Sequence, residues 1–169
     1  MPPADAANDF VTLILQSPHG PVRVMASRKG IARLEFCPKK SAFKNSTDAA
    51  AKVPVAWIHE IRRRLEGKAP SARLPLDPHG TPFQKTVWKA LCQIPRGQVR
   101  SYQNIAKAVG KPRAARAVAS ACASNRIGIL IPCHRVIRKD GTLSGYYWGS
   151  KLKRRLLENE GVLLPLSIP

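Results

Sequence analysis

Acidic residues are scarce in this chain of 169 residues: 10 Asp and Glu stand against 29 Lys and Arg, so the formal net charge is +19. Solubility alone does not require such an excess of positive charge, and we expect a polyanionic partner. The excess is uneven, because residues 1–79 contain 13 basic and 7 acidic side chains, whereas residues 80–169 contain 16 and 3. The polyanion is therefore expected to bind the C-terminal half.

Long hydrophobic runs are also missing. The longest one, residues 127–132, is interrupted by Gly128 and is far too short for a hydrocarbon core of about 30 Å. The first residues show no basic segment followed by an apolar one, so they do not predict a secretory signal. We expect no membrane partner and a cytoplasmic location, at the nucleoid in a bacterium or in the nucleus of a eukaryote.

Closely paired cysteines are the third absence. The four cysteines, at positions 37, 92, 122 and 133, form no C-x-x-C motif and no dense framework. In a reducing compartment such residues are most often small buried apolar side chains, so disulfides are not expected. Their spacing to the histidines matches no metal-ligand pattern, and the sequence predicts neither a metal nor a cofactor.

The first half of the chain has the pattern of a small α+β lobe, which we place at residues 1–77. Three β-rich runs, residues 10–15, 22–26 and 31–36, are separated by turn residues and predict an antiparallel meander. Residues 38–54 have no apolar period and predict a mobile connection. A helix then follows, with solvent-facing arginines at 62–64, an end at Gly67 and a predicted apolar stripe of Val55, Ile58, Ile61 and Leu65.

The second half, residues 78–169, predicts a mostly helical lobe after a proline-rich linker. Thr81 is a suitable N-cap for a helix that ends before Pro95, with a predicted apolar stripe of Phe83, Val87, Ala90, Leu91 and Ile94. Ser101 caps a second helix that stops at Gly110, and a third is predicted from Lys111 to about Ala123. Two helices joined by a tight turn containing Gly indicate a helix-turn-helix, and the fold class of the whole chain is α+β.

The candidate chemistry lies after this motif. Residues 127–131 predict a buried strand that leads directly into Cys133 and His134. Neighbouring cationic groups lower the pKa of a thiol, so Cys133 is the candidate nucleophile. The third helix consists almost entirely of small residues, with Lys111, Arg113 and Arg116 near its N-terminal end, where phosphates would meet the positive end of the helix dipole.

Five short motifs carry a resemblance to a known family: ARAV at 115–118, SN at 124–125, PCHRV at 132–136, GTLSGY at 141–146 and LLENEG at 156–161. Together they resemble the O6-alkylguanine-DNA alkyltransferases, also called methylated-DNA-protein-cysteine methyltransferases. The resemblance is dense over residues 81–162, and residues 141–160 are most similar to the bacterial form fused to an adaptive-response regulator. It implies an N-terminal lobe with a small antiparallel sheet and a C-terminal lobe that binds DNA in the minor groove.

The resemblance also implies a reaction and its catalytic residues. An alkyl group would pass directly and irreversibly from O6-alkylguanine in double-stranded DNA to Cys133, once per molecule and without a cofactor. His134 would take the thiol proton through a water, and Glu160 would orient His134. Asn125 would hold the backbone near the site, and Tyr102 would press on the target phosphate and offer its hydroxyl to the base.

DNA contacts and the alkyl pocket follow from the same resemblance. Arg116 would fill the gap left by the flipped base, and further DNA contacts are expected from Lys111, Arg113, Arg135 and Ser101. The pocket is expected to be lined by Tyr146, Tyr147, Trp148 and Gly128, with the bulky Trp148 favouring methyl over benzyl groups. O4-alkylthymine is a second possible substrate, and we expect a monomer in solution.

Two other functions would use part of the same residues. A DNA-damage sensor would flip bases through the helix-turn-helix without any chemistry, but such relatives carry Trp where this chain has Cys133. A cysteine hydrolase with turnover also needs a Cys, a His and an acid. That function leaves the basic charge and the helix-turn-helix without a role, so DNA repair by alkyl transfer is the better interpretation.

Overall fold

The structure is a computed structural model that describes residues 10–37, 52–143 and 145–163. The chain divides into two compact units, Met1–His79 (unit 1) and Gly80–Pro169 (unit 2), so the division falls two residues after the boundary expected from the sequence. In the described residues a three-stranded antiparallel sheet and five α-helices confirm the predicted α+β fold class. None of the described helices is long and apolar enough to cross a membrane.

Unit 1 contains the predicted meander. Strands β1 (Val11–Leu15), β2 (Val22–Ser27) and β3 (Gly30–Phe36) pair in the order β1-β2-β3, with Val24 opposite both Leu13 and Leu34. Buried and half-buried residues alternate along β2, as expected when one face of a sheet covers a core. At the β2–β3 turn Gly30 has φ +150°, and a Cβ there would lie 2.4 Å from the Pro75 carbonyl oxygen, so only glycine fits.

Helix α1 (Val55–Leu65) occupies the predicted range but buries a different face. Ile61 and Leu65 are buried, whereas Val55 is 67% exposed, so its placement in the apolar stripe was wrong. The reason is geometric, because at 3.6 residues per turn Val55 lies about 120° around the helix from Ile61. Glu60 is buried instead and forms an ion pair with Arg64. Arg64 was expected to face the solvent, but it is half-buried.

The Glu60 carboxylate connects α1 to the chain that follows it. It accepts hydrogen bonds from the backbone N–H groups of Ser71 and Ala72 and from the Ser71 hydroxyl. These bonds offset the cost of burying a charge and tie residues 71–72 to the helix. Of the predicted mobile connection at 38–54, residues 38–51 lie outside the described residues.

Helix α2 (Pro82–Leu91) opens unit 2 as predicted, with Pro82 in its first turn and a capping box between Thr81 and Gln84. Val87 and Leu91 of the predicted stripe are buried, as is Ile94 just beyond the helix, while Phe83 and Ala90 are half-buried. The stripe omitted Trp88, which is buried and whose Nε1 donates a hydrogen bond to the Ala121 carbonyl at 2.8 Å. That bond connects α2 to the fourth helix.

Helices α3 (Tyr102–Ala108) and α4 (Ala115–Ala123) are joined by a turn that contains Gly110 at φ +73°. Helix α4 begins at Ala115, four residues later than predicted. Backbone bonds from Lys111 to the Ala106 carbonyl and from Ala114 to the Lys111 carbonyl hold residues 111–114 in a turn instead. Helix α4 buries Val118, Ala121 and Cys122.

The strand predicted at residues 127–131 was wrong. These residues form a compact buried turn, in which Ile131 N–H donates to the Ile127 carbonyl at 3.0 Å and Ile129 has φ +66°. A short apolar run indicates that the residues are buried, but its pattern alone does not distinguish a buried strand from a buried turn. A 3₁₀ turn (Cys133–Arg135) follows, then β5 (Val136–Ile137), which pairs in parallel with β4 (Arg100–Ser101). Helix α5 (Ser150–Asn159) closes the described unit.

Candidate active site

Cys133 lies at the start of the 3₁₀ turn and is 4% exposed. Its Sγ accepts a hydrogen bond at 3.1 Å from Nδ2 of Asn125, which also donates to the Ile131 carbonyl at 2.9 Å. The Oδ1 atom of Asn125 accepts from the Ile127 backbone N–H at 2.9 Å. One buried amide therefore joins the end of α4, the buried turn and the candidate nucleophile.

His134, which follows Cys133 in the chain, forms an ion pair with Glu160. Although 26 positions separate them, Nε2 of His134 is 2.8 Å from Oε1 of Glu160. Arg135 donates to the same carboxylate through Nε at 2.8 Å and Nη2 at 2.9 Å, and its Nη1 donates to the Ile94 carbonyl at 2.6 Å. The 3₁₀ turn thus places His134 and Arg135 on one carboxylate, directly after the candidate nucleophile in the chain.

The protonation states of this pair follow from its surroundings. Burial opposes the charge on Glu160, but hydrogen bonds and charges from His134 and Arg135 outweigh it and lower the pKa of Glu160 to about 2. Burial also lowers the pKa of His134. An ionised Glu160 only accepts, so we assign the imidazole proton to Nε2. The Nδ1 atom then carries a lone pair, and it has no hydrogen-bond partner among the described residues.

The protonation of Cys133 differs from the expectation. Burial raises the pKa of Cys133 to about 11, although the Asn125 hydrogen bond and the charge of Lys153 act in the opposite direction. Neighbouring cations were expected to favour the thiolate, but Arg135 is bound to Glu160 and burial is the larger effect. The resting group is a thiol, so the site needs a base before it can act as a nucleophile.

Sequence reasoning missed one residue of this site, Lys153. It lies on α5, is only 1% exposed, and its Nζ donates to the Val136 carbonyl at 2.5 Å. The Nζ atom also lies 6.0 Å from the ring centre of Tyr102 and 5.9 Å from that of Tyr146. Its signal in the sequence is its place on the apolar face of α5, three and four residues before Leu156 and Leu157, where a lysine is not expected.

Lys153 keeps a charge inside the protein. Burial lowers the pKa of Lys153 to about 8, while electrostatic interactions with Cys133 and Cys122 act in the opposite direction. The ammonium is therefore still predominantly protonated at neutral pH. A positive charge next to a buried thiol favours the thiolate over the thiol.

Aromatic side chains cover the rest of the site. Tyr102 begins α3, and burial raises the pKa of its phenol to about 12, so the hydroxyl is a neutral donor. Tyr146 is buried, and its hydroxyl has no hydrogen-bond partner among the described residues. Trp148 is half-buried and packs edge-on against Tyr146 and Tyr147, with ring centres 5.4 and 5.2 Å apart. Gly128 lies in the buried turn between Asn125 and Cys133.

Comparison with known proteins identifies the family. Residues 82–162 match the family model described as "6-O-methylguanine DNA methyltransferase, DNA binding domain". A methylated-DNA–protein-cysteine methyltransferase of Methanosarcina barkeri is 45% identical over 157 residues, which are 87% of this chain and 94% of that protein. The chain belongs to the methylated-DNA–protein-cysteine methyltransferase family. The family predicted from the five motifs is therefore confirmed.

Two further comparisons extend this result to the methyltransferase fold. The chain is 54% identical over 103 residues to the bifunctional transcriptional activator/DNA repair enzyme Ada of Escherichia coli. The aligned residues are 61% of this chain and 29% of that protein. The crystal structure of Mycobacterium tuberculosis OGT in complex with DNA is similar with a TM-score of 0.74 and 37% identity, over 87% of this chain and 90% of that chain.

Two residues that were expected to contact DNA, Ser101 and Arg135, have hydrogen-bond partners within the protein. Ser101 is 5% exposed, and its hydroxyl accepts from the Asn104 backbone N–H at 3.1 Å as the N-cap of α3. Arg135 is bound to Glu160 and to the Ile94 carbonyl. Both side chains therefore contribute to the structure of the site, and their contact with DNA stays a prediction. Lys111, Arg113 and Arg116 are exposed at or before the N-terminal end of α4.

The other three cysteines form no disulfide in the described structure. Cys122 is buried as expected, Cys37 is half-buried, and Cys92 is exposed, contrary to the expectation. Within the described ranges, no group of three or more His, Cys, Asp or Glu side chains lies close enough to hold a metal ion.

Proposed function

We propose that this protein repairs DNA by transferring an alkyl group from O6 of guanine in double-stranded DNA to Sγ of Cys133. The observation that carries this proposal is the arrangement of Cys133 with Asn125 on its sulfur and the buried His134–Glu160 pair beside it. A nucleophile, a base and a carboxylate that orients the base form the set that a displacement at carbon requires. Because a thioether is a poor leaving group, each molecule reacts once.

The proton follows a definite path in this reaction. Nδ1 of His134, whose other nitrogen is bound to Glu160, takes the proton of the Cys133 thiol through a water. The thiolate attacks the alkyl carbon, the S–C bond forms, and the O6–C bond breaks. The electron pair leaves with the guanine, which recovers a proton and becomes a normal base. Glu160 stabilises the imidazolium, and Arg135 holds Glu160 in place.

Lys153 contributes charge to the same step. Its buried ammonium interacts electrostatically with Cys133, so it stabilises the negative charge that develops on sulfur. Tyr102 presses on the target phosphate, and its neutral hydroxyl donates to the base as the guanine leaves.

The exposed face around α4 supports the DNA contacts. Lys111 and Arg113 bind phosphates, and Arg116 fills the stack when the target base is flipped out, which costs a few kcal/mol. The small residues of α4 allow the helix to approach the minor groove closely. Tyr146, Tyr147, Trp148 and Gly128 line the alkyl pocket. We also propose that the protein acts as a monomer where chromosomal DNA is located, and that O4-alkylthymine is a second substrate.

One experiment tests this function directly. The protein is incubated with a duplex that contains a single O6-methylguanine, and its intact mass is measured. We expect a gain of one methylene on the peptide that contains Cys133, at most once per molecule. Cys133→Ala should show no gain and still bind the duplex, because Lys and Arg side chains supply the affinity.

The other outcomes would contradict the proposal. Duplex binding by the wild type with no change in mass would identify a sensor of damaged DNA. Removal of more than one methyl group per molecule would indicate turnover and a hydrolase.

A further inference from the structure

Arg126 follows Asn125 in the chain and has no role in the proposed transfer of the alkyl group. Its guanidinium carbon is 4.1 Å from the ring centre of Tyr147, which places a cation directly over an aromatic face. Its Nη1 atom is buried and has no hydrogen-bond acceptor among the described residues. A guanidinium held flat by a ring keeps its N–H groups at the edge, where they suit a planar or tetrahedral anion.

None of the acidic side chains of unit 2 forms an ion pair with Arg126 in the described structure. Unit 2 contains three acidic residues, Asp140, Glu158 and Glu160. Asp140 accepts from Thr142, Glu158 lies 4.0 Å from Arg154, and Glu160 is bound to His134 and Arg135. Within this unit the buried N–H of Arg126 thus has neither an acceptor nor a neighbouring carboxylate in the described structure.

Arg126 is connected to Cys133 through two segments of the chain. Arg126 follows Asn125, whose amide is bonded to the Cys133 sulfur. Tyr147 follows Tyr146, whose phenol interacts electrostatically with Cys133. The Arg126–Tyr147 stack therefore joins the two segments that flank the thiol, and Trp148 supports it through edge-on packing against Tyr147.

We propose that Arg126, held against Tyr147, is an anion-binding residue at the rim of the alkyl site. The anion is an oxygen group of the damaged nucleotide, either a carboxylate carried by the alkyl group or a phosphate of the target strand. With a carboxymethyl adduct the S–CH₂ bond forms, the O6–CH₂ bond breaks, and Cys133 retains the carboxylate. This inference rests on the proposed alkyl transfer and adds an anion-binding residue to it.

The test compares two duplexes that differ only in the adduct, O6-methylguanine or O6-carboxymethylguanine at the same position. Single-turnover rates are measured for the wild type, Arg126→Gln, Arg126→Lys and, as a matched loss of charge, Arg155→Gln on the exposed surface of α5. Melting temperatures and the rate with free O6-methylguanine, which has no phosphate, show whether each variant is folded.

The two sources of the anion give different results. If Arg126 binds the adduct, Arg126→Gln lowers the carboxymethyl rate roughly tenfold to hundredfold and leaves the methyl rate unchanged, because a hydrogen bond to a charged group is lost. If it binds a phosphate, both duplex rates fall together, and the salt dependence of binding weakens by about one phosphate contact. Arg126→Lys should restore part of either effect, since it keeps the charge without the planar fork.

The proposal is overturned if Arg126→Gln matches Arg155→Gln in both rates and in salt dependence. Equal losses with both duplexes and with the free base, together with a lower melting temperature, would also overturn it by showing a structural role. Failure of the wild type to react with the methyl duplex would reject the alkyl transfer itself. That result differs from the two outcomes that overturn only the role of Arg126.

Discussion

The ionised Glu160 carboxylate gives the site a measurable acid sensitivity. Hydrogen bonds and charges lower the pKa of Glu160 to about 2, below its ordinary value of 4.5. A carboxyl with a lowered pKa stabilises the fold above about pH 4.5, and this contribution is lost as the pH falls toward about 2. The size of the effect is on the order of 3 kcal/mol.

Glu160→Gln should therefore slow alkyl transfer and flatten the acid branch of the stability curve. The rate falls because Nε2 of His134 loses the carboxylate that orients it, and the imidazolium loses its counter-charge. Melting temperatures between about pH 2 and pH 7 and single-turnover rates measure both effects. Glu158→Gln, which changes an exposed carboxylate on the same helix, is the control. A wild-type rate in Glu160→Gln would show that the pair is only structural.

Lys153 provides a second prediction for a single side chain. Lys153→Met keeps an unbranched side chain of similar length but removes the buried charge. We expect slower transfer at neutral pH with a melting temperature within a few degrees of the wild type. The substitution loses the bond to the Val136 carbonyl but also removes the cost of burying an ammonium.

The pH dependence of stability shows whether the buried Lys153 carries a charge, and the transfer rate shows whether that charge acts in the reaction. Burial lowers the pKa of Lys153 from 10.5 to about 8, so between these values the unfolded chain binds more protons than the folded one. The wild type should thus gain stability relative to Lys153→Met as the pH rises from about 8 to 10.5. Lys151→Met, at an exposed position of α5, should show neither effect. A Lys153→Met variant with normal rates and a much lower melting temperature would mark a purely structural lysine.

At the scale of secondary structure, the capping box of α3 determines what Ser101 does. Its hydroxyl accepts from the Asn104 backbone N–H, and the Asn104 side chain accepts from the Ser101 backbone N–H at 3.0 Å. Ser101→Ala should lower the free energy of unfolding by about 1 kcal/mol, measured by denaturant titration. The salt dependence of DNA binding should not change, whereas Arg113→Ala should weaken it by about one phosphate contact. The opposite pattern would return Ser101 to the DNA interface.

A further prediction concerns the segment at 145–149 and the size of the adduct that the protein accepts. Trp148 packs edge-on against Tyr146 and Tyr147, so a benzyl group would have to displace an indole. Overpacking typically costs about 1 to 3 kcal/mol, and free O6-benzylguanine should inactivate the protein slowly. Trp148→Gly should react faster with this compound and leave methyl transfer nearly unchanged. Fast inactivation of the wild type, or equal losses with both substrates and a lower melting temperature, would contradict a role as pocket wall.

At the scale of the whole molecule, the uneven charge predicts where DNA binds. Unit 2 carries 16 basic and 3 acidic residues, and three exposed cations lie around the start of α4. Replacing Lys111 and Arg113, which bind phosphates, and Arg116, which fills the base stack, with Gln should weaken the salt dependence of duplex affinity by about two phosphate contacts. The matched change in unit 1, at the exposed Arg28, Arg62 and Arg73, should have a much smaller effect. Binding titrations at several salt concentrations test this, and equal effects would place unit 1 in the interface.

Features that depend on neighbouring residues could be predicted from the sequence. The meander, helices α1 and α2 and the N-caps Thr81 and Ser101 follow from local signals, such as alternation, helical spacing and a small polar residue before a helix. Short contiguous motifs around Cys133 likewise sufficed to identify the family. These features need no knowledge of the distant chain.

The pairing of the active-site side chains could not be predicted in this way, because the partners meet only in the folded chain. Folding places Lys153 close to two tyrosine rings and binds Arg135 to Glu160. It also raises the pKa of Cys133, although the sequence had suggested a lowered pKa. Residues 127–131 formed a turn because Asn125 holds their backbone, a contact that periodicity does not reveal. A pKa or a salt bridge depends on burial and on partners far away in the chain, and both exist only after folding.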